Sequence, residues 1–187
     1  MDLRTRDDYV IRAIRPDEWP EVKRLRLDAL RDPAAPIAFM ESYEEAVTEP
    51  DSFWQGRATR SGEGARGVRQ FITEAPDGTW AATVTMVMEE AGTTDWAGSP
   101  VEVTQGHVVG VFVRPEHRGR GLLEALCEAA LEWAWERGAQ RVRLLVHEDN
   151  GRAQAAYRKA GFVPSGVVVD LVAYQGQREL EFVVGRG

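Results

Sequence analysis

The chain carries one cysteine, Cys127, in 187 residues, so an intramolecular disulfide framework is excluded. With three scattered histidines (107, 117 and 147) that lone thiol gives no structural zinc spacing, and no metal is expected. No apolar run approaches the ~20 residues a membrane-spanning helix needs. The opening "MDLRTRDDYVIR" also lacks the apolar stretch of a signal peptide. Positive charge is scarce: 23 Lys+Arg stand against 30 Asp+Glu, a formal net charge of −7. That balance argues against general nucleic-acid binding while leaving room for a local basic site. Internal repeats and low-complexity tracts are absent too. The expectation is a single domain over residues 1–187 in a reducing, cytoplasmic setting, with no nucleic-acid or membrane partner.

What is present reads as strands alternating with helices. "YVIRAIR" (9–15) predicts a strand ending at Pro16, and Asp17 a cap for a helix carrying Trp19, Val22, Leu25 and Ala29 at helical spacing. Pro33 and Pro36 break that helix, and a weaker helical stretch over 42–60 is interrupted at Pro50. "VRQFITEA" (68–75) and "TWAATVTMVM" (79–88) flank Pro76-Asp77-Gly78, a hairpin signal. Residues 89–106 are polar and irregular, a length at which loops are often functional. "HVVGVFV" (107–113) reads as a central strand buried on both faces. Leu122, Leu123, Leu126, Ala129, Ala130, Trp133 and Ala134 then form the stripe of a long helix closed at Gly138. Trp135, about 200° around the axis from Trp133, is expected at the surface, where it would mark an interface; a homodimer is allowed for. "RVRLLVH" (141–147), the Asn-initiated helix "NGRAQAAYRKAG" (150–161) and strands over 163–173 and 178–185 complete the chain. The order is β-α-α-β-β-β-α-β-α-β-β, a mixed α/β (α+β) class with at least one parallel crossover around the long helix.

The most unusual stretch is "VFVRPEHRGRGLLEAL" (111–126). A helix N-terminus offers unpaired backbone N–H groups and a partial positive charge, and so suits an anion. Gly119 and Gly121 would let a ligand approach the backbone, while Arg114, Arg118, Arg120 and His117 raise the local potential. The stretch is neither a Walker loop nor G-x-G-x-x-G, because Glu124 occupies the third glycine's place. On its own it reads equally as a glycine turn with solvated arginines.

Its spacing nevertheless resembles the acyl-CoA-binding motif of the Gcn5-related N-acetyltransferases (GNAT), a strand leading into Q/R-x-x-G-x-G/A. Arg118, Gly121 and Leu123 hold the defining places, with Leu123 standing where the family has a small residue. "VHEDNGRAQAAYRKAGFVPSG" (146–166) is similar to a second family block, through Asn150, Ala153, Tyr157, Gly161 and Phe162. "VIRAIRPDEWPEVKRLRLDAL" (10–30) resembles the family's first strand and acceptor-side helix. The resemblance implies a GNAT-like fold: a central mixed, largely antiparallel twisted sheet of about seven strands with about four helices. It also implies acetyl-CoA as cofactor. The backbone of Val111, Phe112 and Val113 would bond the pantetheine arm as an added strand. Arg118, Gly119, Arg120, Gly121, Leu122, Leu123 and Glu124 would wrap the pyrophosphate with main-chain N–H groups. Asn150 would contact the arm, and Tyr157 would set its hydroxyl near the thioester sulfur.

Acetyl transfer to an amine needs a neutral amine, a polarised thioester carbonyl and a proton for the leaving thiolate. A strand N–H from Val111–Val113 suits the carbonyl. Tyr157 suits the thiolate, since a phenol pKa of about 10 is near a thiol's; otherwise it is a tyrosine packed on the sheet. His107 heads the apolar strand, where the resemblance implies an acidic or histidine base; otherwise it is a strand-edge histidine satisfied by solvent. Glu41, Glu45 and Glu102 compete for that role. His117 and His147 are expected to be solvated, and Cys127 to be core rather than nucleophile. The acceptor is expected at 36–46 and 89–106. There Glu41, Glu44, Glu45, Glu49, Asp51, Glu89, Glu90 and Asp95 point either to a cationic amine, such as a polyamine, or to a solvated acidic face. The expected activity is transfer of an acetyl group to a primary amine of a small molecule by direct attack in a ternary complex. A protein or peptide amine, or a non-catalytic acyl-CoA-binding domain on the same scaffold, is the alternative.

Overall fold

The computed structural model describes residues 4–171 and 176–187. The chain runs β1 (Arg4–Arg6), β2 (Tyr9–Ala13), α1 (Trp19–Leu30), α2 (Ala35–Ala38), α3 (Tyr43–Ala46), α4 (Asp51–Ser61), β3 (Val68–Glu74), β4 (Trp80–Glu89) and β5 (Gln105–Val113). It continues through α5 (Leu122–Glu136), β6 (Arg141–His147), α6 (Gly151–Lys159), β7 (Val163–Leu171) and β8 (Gln177–Gly185). The strands form one sheet in the order β1-β2-β3-β4-β5-β6-β8-β7. Every neighbouring pair is antiparallel except β5 and β6, which are parallel and joined by the α5 crossover. The mixed, largely antiparallel sheet is therefore as expected, with the short β1 added at one edge.

Local chemistry shifts several boundaries. Asp17 does not cap α1: a single 3-10 turn, Pro16–Glu18, precedes the helix, and Glu18 reaches back to the Arg15 N–H at 2.8 Å. The 42–60 stretch is two helices, because Ser42 and Glu45 close a capping box on α3 and Pro50 then starts α4. A one-turn α2 occupies the segment that the prolines were expected to break, since Pro36 falls in its first turn, where no N–H is needed. Residues 172 and 173 of the expected strand lie outside the described residues.

Two apolar clusters sandwich the sheet. Leu122, Leu126, Ala130 and Trp133 of α5 meet Val84, Met86, Val108, Val142 and Leu144 on one face. Val22, Leu25 and Ala29 of α1, with Trp54 and Ala58 of α4, meet Ile72 and Phe112 on the other. Burying a side chain such as Leu126 contributes about 1.5–3 kcal/mol. Trp135 is half-buried against the first cluster rather than exposed, because α5 lies low enough on the sheet to cover more than one stripe.

The sheet opens at its centre. Thr83 and Thr85 of β4 pair with Phe112 and Val109 of β5, so β5 carries one extra residue there. Gly110 sits at that bulge with φ +62°, a conformation that side chains with a Cβ rarely adopt. On its other edge β5 pairs with β6 only over Gln105–Val108 against Arg141–Leu144. Beyond that point the two strands part.

Candidate active site

A cleft of about 770 Å³ occupies the opening. Its walls are Val109–Val113 of β5, the turn at Arg118–Leu123, Leu145–His147 of β6, and Asn150 and Tyr157 at α6. Phe39, Met40, Glu41 and Trp96 lie along it on the α1–α4 side of the sheet. Because β5 has no ladder partner toward β6 beyond Val108, the backbone edge from Val109 to Val113 is open to an extended, amide-bearing ligand.

At one end stands the start of α5. Gly119 and Gly121 have φ +75° and +70°, so the turn needs glycine at both places. Among the described residues no side chain caps the helix, leaving the N–H groups of Leu122, Leu123 and Glu124 without an intrahelical or side-chain acceptor there. The arginines, however, do not all face a ligand. Arg118 reaches Asp32 at 2.6 Å and donates from Nε to the Val113 carbonyl at 3.1 Å. Arg114 donates to the Trp80 carbonyl and pairs with Asp28 at 2.9 Å. Burial tends to raise the Asp32 carboxyl, but the Ala34 N–H and Arg118 bring it below its ordinary value. Much of the positive charge thus fastens the turn to α1 and α2, leaving exposed Arg120 and the backbone amides for an anion. Leu123 belongs to the core cluster while also forming cleft wall.

At the start of α6 the Asn150 side-chain oxygen accepts the Ala153 N–H at 3.2 Å, which leaves its amide NH2 for other partners. Tyr157, one helical face on, is buried with its ring against Phe162. Burial, with Cys127 and Glu179 nearby, pushes its phenol well above its ordinary range, so it is a neutral hydrogen-bond donor at neutral pH. Cys127 itself is buried on α5 and pushed up to about 12, first by burial and then by Glu124 and Glu128. Such a thiol is no nucleophile, as expected of a core residue.

His107 lines the cleft from β5 within a buried polar layer. Its Nδ1 meets Glu89 Oε1 at 2.6 Å, and Gln105 donates to Glu89 Oε2 at 2.9 Å. Arg143 bonds Glu89 at 2.9 Å, Asp95 at 2.7 Å and Glu181 at 3.4 Å. Burial tends to raise the Glu89 carboxyl, but the bonds from His107 and Gln105 and the charge of Arg143 hold it down at about 2. An ionised carboxylate only accepts, so His107 Nδ1 carries a proton, and in the neutral imidazole Nε2 is then the accepting nitrogen. His107 is therefore no solvent-satisfied edge residue. His147 is not solvated either, being buried and accepting the Asp149 N–H at 3.1 Å, while His117 is half-buried with its Nδ1 bonded to Tyr9 Oη at 2.7 Å.

The acidic segments expected to greet the acceptor are mostly engaged elsewhere. Glu89 and Asp95 hold Arg143, while Glu44, Glu45, Glu90 and Asp51 are exposed. Glu41 does line the cleft, bonded to Arg26 at 2.9 Å. Two described cleft carboxylates are not marked in the sequence: Asp32, which holds Arg118, and Glu179 of β8, which burial pushes up to about 7. Only its place in the strand order brings Glu179 there, and no motif marks either.

The chain matches the Acetyltransferase (GNAT) family over residues 19–162. It is 31% identical, over 44% of its own length and 55% of the relative's, to a putative ribosomal protein bS18-alanine N-acetyltransferase of Bacillus subtilis. It is 40% identical to a mycothiol acetyltransferase of Beutenbergia cavernae over 38% of this chain and 24% of that one. The chain thus spans about half the length of the first relative and a quarter of the second. In fold it is similar to the ribosomal-protein-S5-alanine acetyltransferase of Vibrio fischeri, with a TM-score of 0.73 at 13% identity, covering 99% of this chain and 97% of that one. With the parted strands and the glycine turn at α5 inside the matched span, the chain belongs to the GNAT family of acetyltransferases.

Proposed function

We propose that the chain is an acetyl-CoA-dependent N-acetyltransferase that modifies a primary amine of a small molecule by direct attack in a ternary complex. The observation that carries this reading is one cleft that joins an open strand edge, an uncapped helix start and a buried neutral tyrosine. Those features fit acetyl-CoA, which supplies an acyl group activated as a thioester. The backbone of Val111, Phe112 and Val113 bonds the amides of the arm and offers an N–H to the reacting carbonyl. The N–H groups from Arg118 and Gly119 through Arg120, Gly121, Leu122, Leu123 and Glu124 bind the pyrophosphate. Asn150 orients the arm with its free amide NH2.

Tyr157 donates a hydrogen bond toward the sulfur. Its raised pKa means that it holds its proton until negative charge accumulates on that atom, so hydrogen bonding comes before transfer. His107 takes the amine's proton at Nε2, and Glu89 at Nδ1 fixes the tautomer and stabilises the imidazolium that forms. The acceptor enters beside Phe39, Met40 and Trp96, between α2 and the loop that Arg143 fastens through Asp95.

Incubation with acetyl-CoA, a panel of small amines and peptides with free N-termini, and a thiol reagent tests the reading. Thiol release with small amines, stronger than with peptides, is expected. Preference for peptides moves the acceptor to protein amines. Binding of acetyl-CoA with no turnover on any amine contradicts the enzyme reading and leaves a silent acyl-CoA-binding domain.

A further inference from the structure

Among the described residues four carboxylates line the cleft: Asp32, Glu41, Glu124 and Glu179. Asp32 is held by Arg118 and Glu41 by Arg26, while Glu124 stands in the first turn of α5. Glu179 alone is a strand carboxylate of the cleft with neither a hydrogen bond nor an ion pair among the described residues. It lies directly opposite His147 of β6 and Val169 of β7, so these three side chains share a sheet face. Its neighbour on that face, Glu181, is engaged by Arg143 at 3.4 Å and by the Ser165 hydroxyl at 2.8 Å. Tyr157, Arg152 and Lys159 of α6, His107 of β5, His147 of β6, and Arg26 and His117 line the same cleft. Tyr157 lies near enough to feel the Glu179 charge. A half-buried carboxylate without a partner is costly to keep, and in a cleft it marks a place for a cation.

We propose that Glu179 receives the acceptor's amino group as an ammonium ion, so that the acceptor is an alkylamine with no carboxylate beside its amine. This rests on the transferase reading for the word acceptor, but the site is a cation site whether or not turnover follows. The supporting chemistry is mutual: the carboxyl is raised to about 7 by burial, and an ammonium beside it returns it to the ionised form. Cation binding near neutral pH therefore releases a proton. Below that pH the carboxyl is protonated and the site weakens.

The test is calorimetric titration of the full chain, with CoA present, by n-butylammonium chloride at pH 7 in phosphate and in Tris. Wild type is expected to release about half a proton on binding, read from the difference in heats between the two buffers. Glu179→Gln is expected to release none and to bind at least about tenfold more weakly. Glu179→Asp, which keeps the charge, restores proton release. β-Alanine, with its carboxylate close to the amine, binds wild type more weakly than n-butylamine, and the gap closes in Glu179→Gln. Unchanged affinity and proton release in Glu179→Gln overturns the proposal, as does failure of wild type to bind n-butylamine. If binding and proton release behave as expected but no amine is acetylated, the transferase reading falls and the cation site stands.

Discussion

At the start of α6, Asn150 accepts the N–H of Ala153 at 3.2 Å, whereas the start of α5 has no side chain to accept any N–H of its first turn. Both helices begin on the same cleft, within reach of the parted strands. The α6 start is closed by its own sequence and so contributes stability and a fixed position for Tyr157. The α5 start is preceded by two left-handed glycines and left open, which is a stability cost that an anionic ligand would offset. One helix end is closed by its own side chain; the other is open, as the proposed anion site requires.

Substitutions at the two ends should therefore fail in different ways. Gly121→Val forces a branched side chain into φ +70° and crowds the turn. We expect acetyl-CoA binding by calorimetry to fall by about 5- to 150-fold, the left-handed strain being worth ~1–3 kcal/mol. On the α6 side, Tyr157→Phe removes the proposed proton donor while leaving the ring packed on Phe162. Its kcat should drop about 100-fold with the KM for acetyl-CoA little changed, since only the departing sulfur loses a partner. Asn150→Ala should lower Tm by about 2–4 °C for a cap worth ~1 kcal/mol, with only a modest rise in that KM. If Asn150→Ala abolished acetyl-CoA binding while Gly121→Val spared it, the contrast between the two helix starts would be reversed.

A second contrast, between Glu89 and Glu179, makes a smaller prediction. Glu89 is depressed, so its contribution to stability is present above its ordinary pKa of 4.5 and is lost as pH falls toward about 2. Glu179 is raised, so the folded state holds its proton between 4.5 and about 7, and stability declines as pH rises through that window. Glu179→Gln should accordingly raise Tm at pH 8 and raise it much less at pH 5. Glu89→Gln should lower Tm at pH 7, with the deficit narrowing below pH 4.5. Thermal melts across that range check both signs.

What could be read from the sequence was local. The glycines at 119 and 121 announce a left-handed turn, the stripe on α5 announces its buried face, and Asn150, Tyr157 and Gly161 are spaced within one helix. What could not be read depends on distant partners. Arg118 looks like a ligand's counter-ion until Asp32, 86 residues earlier, is seen to hold it. "RVRLLVH" reads simply as a strand, and nothing in it tells that Arg143 is buried, which happens because the loop after β4 brings Asp95 over it. Glu179 reaches the cleft only because β8 inserts between β6 and β7, out of sequence order. Trp135 is half-buried for a related reason, since angle around a helix axis says nothing of how deeply the helix sits.

The most direct test of the central claim is a titration of the 15N-labelled chain with CoA, followed by amide chemical shifts. The account predicts the largest changes at Gly119–Glu124 and along Val109–Val113, with Ala153, whose N–H is already bonded to Asn150, moving far less. Shifts concentrated at the α6 start, or away from the parted strands altogether, would contradict it.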